Sequence, residues 1–317
     1  WRLGLPVISW SAILMESPST VRLVSLGMWA TRSFLWLDTR GGRRALSWPD
    51  AAARVGPARR DAPIPKGLRA RHQVSFMTGH RCPVAQVAPR RGAVVDVMYL
   101  HGGGYVGPLG LHHWWIIDQL VSRTGARVTV PSYPLAPEHD VDDAMPVLAE
   151  LYGWWARQAG ECRLALAGDS AGGGLALALT MRARDEGWPS LDRLLLLAPW
   201  VDVTMTNPRA WALEYRDPIL RCVGAIDDGR AWAGSRSTTD PWVSPINGQL
   251  QGLPATLVVQ GGCDVLAPDA LELVERMRRA GVEVALRYEP GGFHVYPVAV
   301  RTPEARAAFA QIAEFWA

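Results

Sequence analysis

The chain has 317 residues, 49% hydrophobic and 20% charged, with a formal net charge of +3. This composition excludes a collagen-like or disordered chain and suits one large core domain plus an accessory segment. No run of 18 apolar residues occurs, so no transmembrane helix is expected.

The small net charge hides an asymmetry. Residues 1–100 carry 15 Lys+Arg against 5 Asp+Glu, and the remainder carries 18 against 25. A basic first third could meet an anionic membrane surface peripherally. Packing against the acidic remainder of the same chain is the favoured reading, because the arginines are dispersed. Lys66 is the single lysine against 32 arginines, which points to a GC-rich coding genome rather than a nucleic-acid site. No nucleic-acid-binding motif is present. Cys82, Cys162, Cys222 and Cys263 are scattered with no C-x-x-C pair, so free thiols in a reducing, cytoplasmic setting are expected and no metal site.

Taken in chain order, Trp1 to Met15 is apolar with one arginine. A cap helix is preferred there over a signal-peptide remnant, for want of a basic start and a cleavage pattern. Residues 71–76 and 82–87 could form an antiparallel edge. From about residue 94 strands and helices alternate: a strand at 94–100, a helix at 116–122, a strand at 127–130. Ala144, Val147, Leu148, Leu151, Tyr152 and Trp155 recur at helical spacing as a buried stripe. A strand at 163–167 precedes a helix, strands follow at 194–198 and 256–260, and Leu271, Val274 and Met277 mark a helix ended by Gly281. A last strand at 283–288 and a helix at 303–316 close the chain. Alternation of this kind predicts a mostly parallel sheet with helices on both faces. It breaks between Pro199 and Pro254, a stretch holding Trp211, Trp232 and Trp242. The expected division is 1–50 as the N-terminal part of a helical cap, 51–203 as the first part of the core, 204–245 as a cap insertion and 246–317 as the second part of the core.

The most telling motif is Gly168-Asp169-Ser170-Ala171-Gly172, a G-x-S-x-G segment between an apolar strand and a helix-prone run. A serine on such a turn is lifted above the end of the sheet. Its hydroxyl is a weak nucleophile until a base removes the proton. Ligands of open parallel sheets bind beyond the carboxyl ends of the strands. Three candidates fall at such ends in the order Ser170, Asp264, His294, the chain order of α/β hydrolases. His294 would act as base, reached through the loop 289–293, and Asp264 would orient it. Asp264 could instead merely cap the following helix, and Asp202 is the alternative acid. An oxyanion needs preorganised donors. His101-Gly102-Gly103-Gly104 after the 94–100 strand, with the N–H of Ala171, would supply them. His101 is expected to hold the glycine loop, and His80, His112, His113 and His139 to be structural or surface groups.

His101-Gly102-Gly103-Gly104, Tyr133-Pro134-Leu135-Ala136-Pro137-Glu138-His139 and Gly168-Asp169-Ser170-Ala171-Gly172-Gly173 together resemble the hormone-sensitive-lipase-like esterases, the bacterial family IV carboxylesterases of the α/β-hydrolase superfamily. The resemblance runs from about residue 70 to the end, and Trp242-Val243-Ser244-Pro245 looks like that family's return from cap to core. It implies an α/β-hydrolase fold with a cap, an oxyanion hole of Gly103, Gly104 and Ala171, and hydrolysis of short-to-medium acyl esters without cofactor or metal. The expected partner is a small-molecule ester, with a homodimer left open. An acyltransferase with the same triad and a ligand-binding member like the gibberellin receptor are the alternatives. The chain departs from the family pattern in having Val265 after the acid, Val295-Tyr296 after the base, and Pro134 before Leu-Ala-Pro.

Overall fold

A computed structural model describes residues 24–40 and 60–317, with the side chains of 36–40 left out. The expected cap helix at Trp1–Met15 lies outside the described residues. In chain order the elements are helix α1 (Leu26–Arg40), α2 (Lys66–Arg71), strands β1 (Gln73–Met77), β2 (Val84–Ala88) and β3 (Val95–Leu100), α3 (Leu111–Thr124), β4 (Arg127–Pro131), α4 (Val141–Gln158), β5 (Arg163–Asp169), α5 (Ala171–Asp185) and β6 (Arg193–Leu197). Then come α6 (Pro208–Leu213), α7 (Cys222–Ala233), β7 (Ala255–Cys263), α8 (Ala267–Arg279), β8 (Val284–Phe293) and α9 (Pro303–Trp316).

The eight strands form one sheet in the order β1-β2-β4-β3-β5-β6-β7-β8. β1 and β2 pair antiparallel, as do β2 and β4, and every other pair is parallel. Two-residue alternation sorts the central strands between two cores. Met98, Leu100, Leu164, Leu166, Leu194 and Leu196 pack toward α4, α5 and α8. Val97, Tyr99, Ala165, Ala167, Leu195 and Leu197 pack toward α3 and α9. Both faces are therefore apolar, the condition a buried parallel sheet requires.

Local chemistry sets the helix ends. Asp140 caps α4 by accepting the N–H groups of Asp142 and Asp143. Thr302 caps α9 through the N–H of Ala305, with Pro303 in the first turn. Gly281 follows α8 at φ +76°. Leu271, Val274 and Met277 all lie in α8, whose buried stripe is Ala270, Leu273, Val274 and Met277.

Two further departures bear on the site. β8 does not stop at Tyr288 but continues to Phe293, with a register shift against β7 between Gly261 and Cys263. The segment 289–293 is thus irregular strand rather than a free loop. Between β6 and β7 the chain forms only α6, α7 and a 3₁₀ turn at Pro245–Asn247, with no strand added to the sheet.

The amino ends of the central strands carry a separate polar layer. Buried Asp96 on β3 accepts from Arg127 Nε at 2.7 Å and from Trp155 Nε1 at 2.8 Å. Arg163 and Arg193 donate to the backbone carbonyls of Ala317 and Phe315 at the end of α9.

Candidate active site

The turn from β5 to α5 holds Ser170 at φ +53°, ψ −123°, a conformation L-residues avoid. The surroundings enforce it. The Ser170 N–H donates to Leu197 O at 2.9 Å, and its carbonyl accepts from Gly173, Gly174 and Trp200 N–H groups. Gly172 is required by packing, since a Cβ there would run into the Leu100 and His101 carbonyls.

Ser170, Asp264 and His294 converge. Ser170 Oγ lies 2.9 Å from His294 Nε2, and His294 Nδ1 lies 2.9 Å from Asp264 Oδ2. With Nδ1–H donating to the carboxylate, Nε2 is left to accept the serine proton. Asp264 is completely buried, and Ser170 and His294 nearly so. Gln260 Nε2 also donates to Asp264 Oδ2 at 2.9 Å. Asp264 Oδ1 takes the Leu266 N–H at 2.9 Å. The carboxylate therefore serves the helix entry and the histidine at once, one oxygen each. Burial opposes the charged form of His294, but the carboxylates of Asp264, Asp217 and Asp169 outweigh it and raise its pKa above the ordinary histidine value.

Asp202 is engaged elsewhere: its Oδ1 holds the N–H and hydroxyl of Thr204. The glycine loop follows β3, with Gly103 at φ +115° and Gly104 at φ +66°. The Gly103 carbonyl accepts from Val106 and Gly107, closing the turn. His101 Nδ1 bonds the Gly102 carbonyl at 2.7 Å, and its ring stacks on Tyr133. Burial and the neighbouring His113 push His101 down to about 4, so it stands neutral at ordinary pH. His113 is buried, with Nε2 3.5 Å from Asp169 Oδ2. His139 pairs with Asp143 at the surface, and His80 packs edge-on against Trp154.

Two residues that sequence reading passed over are part of this architecture. Asp169, the variable position of the serine motif, receives the Gly102 N–H at 3.0 Å and the Tyr99 hydroxyl. Asp217, from the segment before α7, is completely buried and accepts the Val265 N–H at 2.9 Å. The Asp169 role was readable in principle, as an acid inside the motif. Asp217 carried no periodic or spacing signal.

The β6–β7 segment reaches the glycine loop. Trp232 on α7 stacks on Tyr105, just after the glycines, with ring centres 4.2 Å apart and planes 4° apart. Around Cys263, next to Asp264, Arg32 of α1 and Arg216 of the segment both point at the thiol, 3.2 and 3.6 Å away. All four cysteines are free thiols. Among the described residues no group of three or more His, Cys, Asp or Glu could hold a metal ion. Likewise no described helix is long and apolar enough to cross a membrane.

A mostly parallel sheet carrying a serine elbow, with histidine and aspartate at the ends of later strands, defines the class: an α/β hydrolase. A sequence profile for the α/β hydrolase fold matches residues 97–298. The chain is 31% identical over 235 residues to an esterase of Acinetobacter venetianus, covering 73% of this chain and 77% of that one. It is 30% identical over 280 residues to esterase LipU of Mycobacterium tuberculosis, covering 84% and 92%. Its match to a triacylglycerol lipase of M. tuberculosis, 34% identical over 201 residues, spans 63% of this chain and only 41% of that relative's length. Among solved structures, an esterase from the bacterial hormone-sensitive lipase family superposes with TM-score 0.79 at 27% identity, covering 93% and 98% of the two chains. The chain belongs to the α/β-hydrolase family, in its hormone-sensitive-lipase-like branch, as a carboxylesterase/lipase-like hydrolase.

Proposed function

We propose that the protein is a serine carboxylic-ester hydrolase acting on short-to-medium acyl esters through an acyl-enzyme. The observation that carries this reading is the unbroken hydrogen-bonded chain Asp264–His294–Ser170, with 2.9 Å at each link.

In this mechanism His294 Nε2 removes the Ser170 proton as Oγ attacks the ester carbonyl carbon, and the carbonyl electron pair moves onto oxygen. The N–H groups of Gly103, Gly104 and Ala171 receive that oxyanion, the last from the positive end of α5. Collapse breaks the bond to the alcohol oxygen, which leaves with the proton held by His294. A water molecule, deprotonated by the same imidazole, then attacks the acyl carbon and releases the acid and Ser170. Asp264 stabilises the imidazolium in both halves. The 204–245 segment and the N-terminal part act as a cap over this site. Trp232 on Tyr105, and Arg32 and Arg216 around Cys263, support that reading.

The test is hydrolysis of p-nitrophenyl acetate, butyrate and octanoate, with stoichiometric fluorophosphonate labelling of Ser170. Ser170→Ala should lose about four orders of magnitude in kcat or more. Equal rates in the variant, or a wild type that neither hydrolyses nor labels, would overturn the proposal.

A further inference from the structure

We propose that Asp217 is a positioning residue for the acid of the triad, clamping the backbone just after Asp264 to the cap segment. The inference rests on the triad reading above. Asp217 has no exposed surface, although it lies in an irregular stretch between α6 and α7. Its two oxygens serve different partners. Oδ1 accepts the N–H groups of Ile219 and Leu220, at 2.7 and 2.9 Å, closing its own turn. Oδ2 crosses to the core and accepts the Val265 N–H at 2.9 Å.

A buried N–H must find an acceptor, because its desolvation is otherwise uncompensated. Val265 supplies such an N–H directly beside the triad acid, and the cap supplies the acceptor. The bond therefore fixes the peptide from which Asp264 projects. A carboxylate does more here than a neutral acceptor would, since it serves three donors and sits beside the triad charges. The groups facing Asp217 are Asp264 and His294 across the site, with Cys222 on α7. Arg221 donates to its backbone carbonyl rather than its carboxylate. His294 is faced by Asp264, Asp217 and Asp169, and by His112 on α3. Burial and the nearby Asp264 push the Asp217 carboxyl up to about 6. Above that pH its negative charge adds to the field that favours the His294 imidazolium.

Two effects separate this role from simple support of a turn. Asp217→Asn keeps size but removes the charge and one acceptor. It should lower kcat roughly 10-fold with KM little changed, as expected when a catalytic group is displaced but substrate contacts are not. It should also move the acid limb of the kcat/KM profile to lower pH, because His294 loses a neighbouring anion. Should that variant not fold, Asp217→Ser carries the same test: its hydroxyl can hold the local turn but is too short to reach Val265. The experiment is a pH series of p-nitrophenyl butyrate hydrolysis and fluorophosphonate labelling on wild type and variant, with melting temperature measured alongside. A folded variant with unchanged kcat and an unchanged acid limb overturns the inference while labelled wild type keeps the triad reading. A wild type whose Ser170 does not label removes both.

Discussion

The Asp169 carboxylate and the Gly102 N–H, 67 residues apart in sequence, meet in a 3.0 Å hydrogen bond that ties the strand bearing Ser170 to the glycine loop. The Tyr99 hydroxyl donates to the same oxygen. Ser170 and the glycine loop are thus held in one frame. Asp169→Asn should weaken that frame, lowering stability by about 2 kcal/mol, the scale of a hydrogen bond to a charged group. Urea unfolding of both proteins measures it. Burial opposes the Asp169 charge, but His113 and Tyr99 prevail and hold its pKa below the ordinary carboxylate range. A depressed folded pKa contributes stability above the unfolded value of about 3.9 and loses it as pH falls toward the folded one. The gap between wild type and Asp169→Asn should therefore narrow on acidification below about pH 4.

A raised His294 pKa would give the proposed ester reaction an acid limb. In the proposed mechanism the base works only when neutral, so kcat/KM should fall on acidification with a midpoint above about 6.5. Asp264→Asn removes the largest favourable influence on the imidazolium and should shift that midpoint down while reducing kcat by about four orders of magnitude. Linkage gives a companion effect on stability. The raised pKa stabilises the fold fully below about pH 6.5, and that contribution disappears as pH rises through the folded value. Thermal melts across pH 5–9 should show this in wild type and less of it in Asp264→Asn.

Gly172→Ala and Gly92→Ala should differ sharply. At Gly172 the new methyl meets backbone oxygens of Leu100 and His101, which cannot swing away; at Gly92 nothing lies within 4 Å. The first should cost about 3 kcal/mol or prevent folding, as overpacking against fixed backbone does. The second should be near neutral by melting temperature.

Trp155→Phe removes one of the donors to buried Asp96 and leaves the apolar packing of α4 largely in place. It should destabilise by about 2 kcal/mol with esterase turnover unchanged. A loss of turnover equal to the loss in a triad variant would contradict the separation of the two ends of the sheet.

α1 is fastened by Ser25, whose N–H and hydroxyl both donate to Glu304, and it presents Arg32 to Cys263. Deleting residues 1–40 should alter the acyl-chain-length profile and raise the rate of Cys263 alkylation by iodoacetamide. An unchanged profile would remove α1 from the cap.

Much of the site was legible because its residues stand where strand, turn and helix meet. Ser170 sits in a G-x-S-x-G segment between an apolar strand and a helix, and Asp264 and His294 follow later strands, so motif, strand ends and chain order together named the three candidates. What escaped has physical reasons. Pro290, Gly291 and Gly292 look like loop chemistry, yet β8 continues through them because Gly261 lets the two backbones approach closely; a Cβ there would lie 2.5 Å from the Gly292 carbonyl. Asp217 is invisible because its partners, backbone N–H groups, leave no trace in side-chain pattern.

The polar layer formed by Asp96, Arg127, Arg163 and Arg193 lies at the pole of the sheet opposite Ser170 and His294. Sites so far apart with no shared partners respond to substitution almost independently. Heat resistance can accordingly be engineered at the lower pole, by tightening the arginine grip on the last turn of α9, while the candidate site above is left as it is.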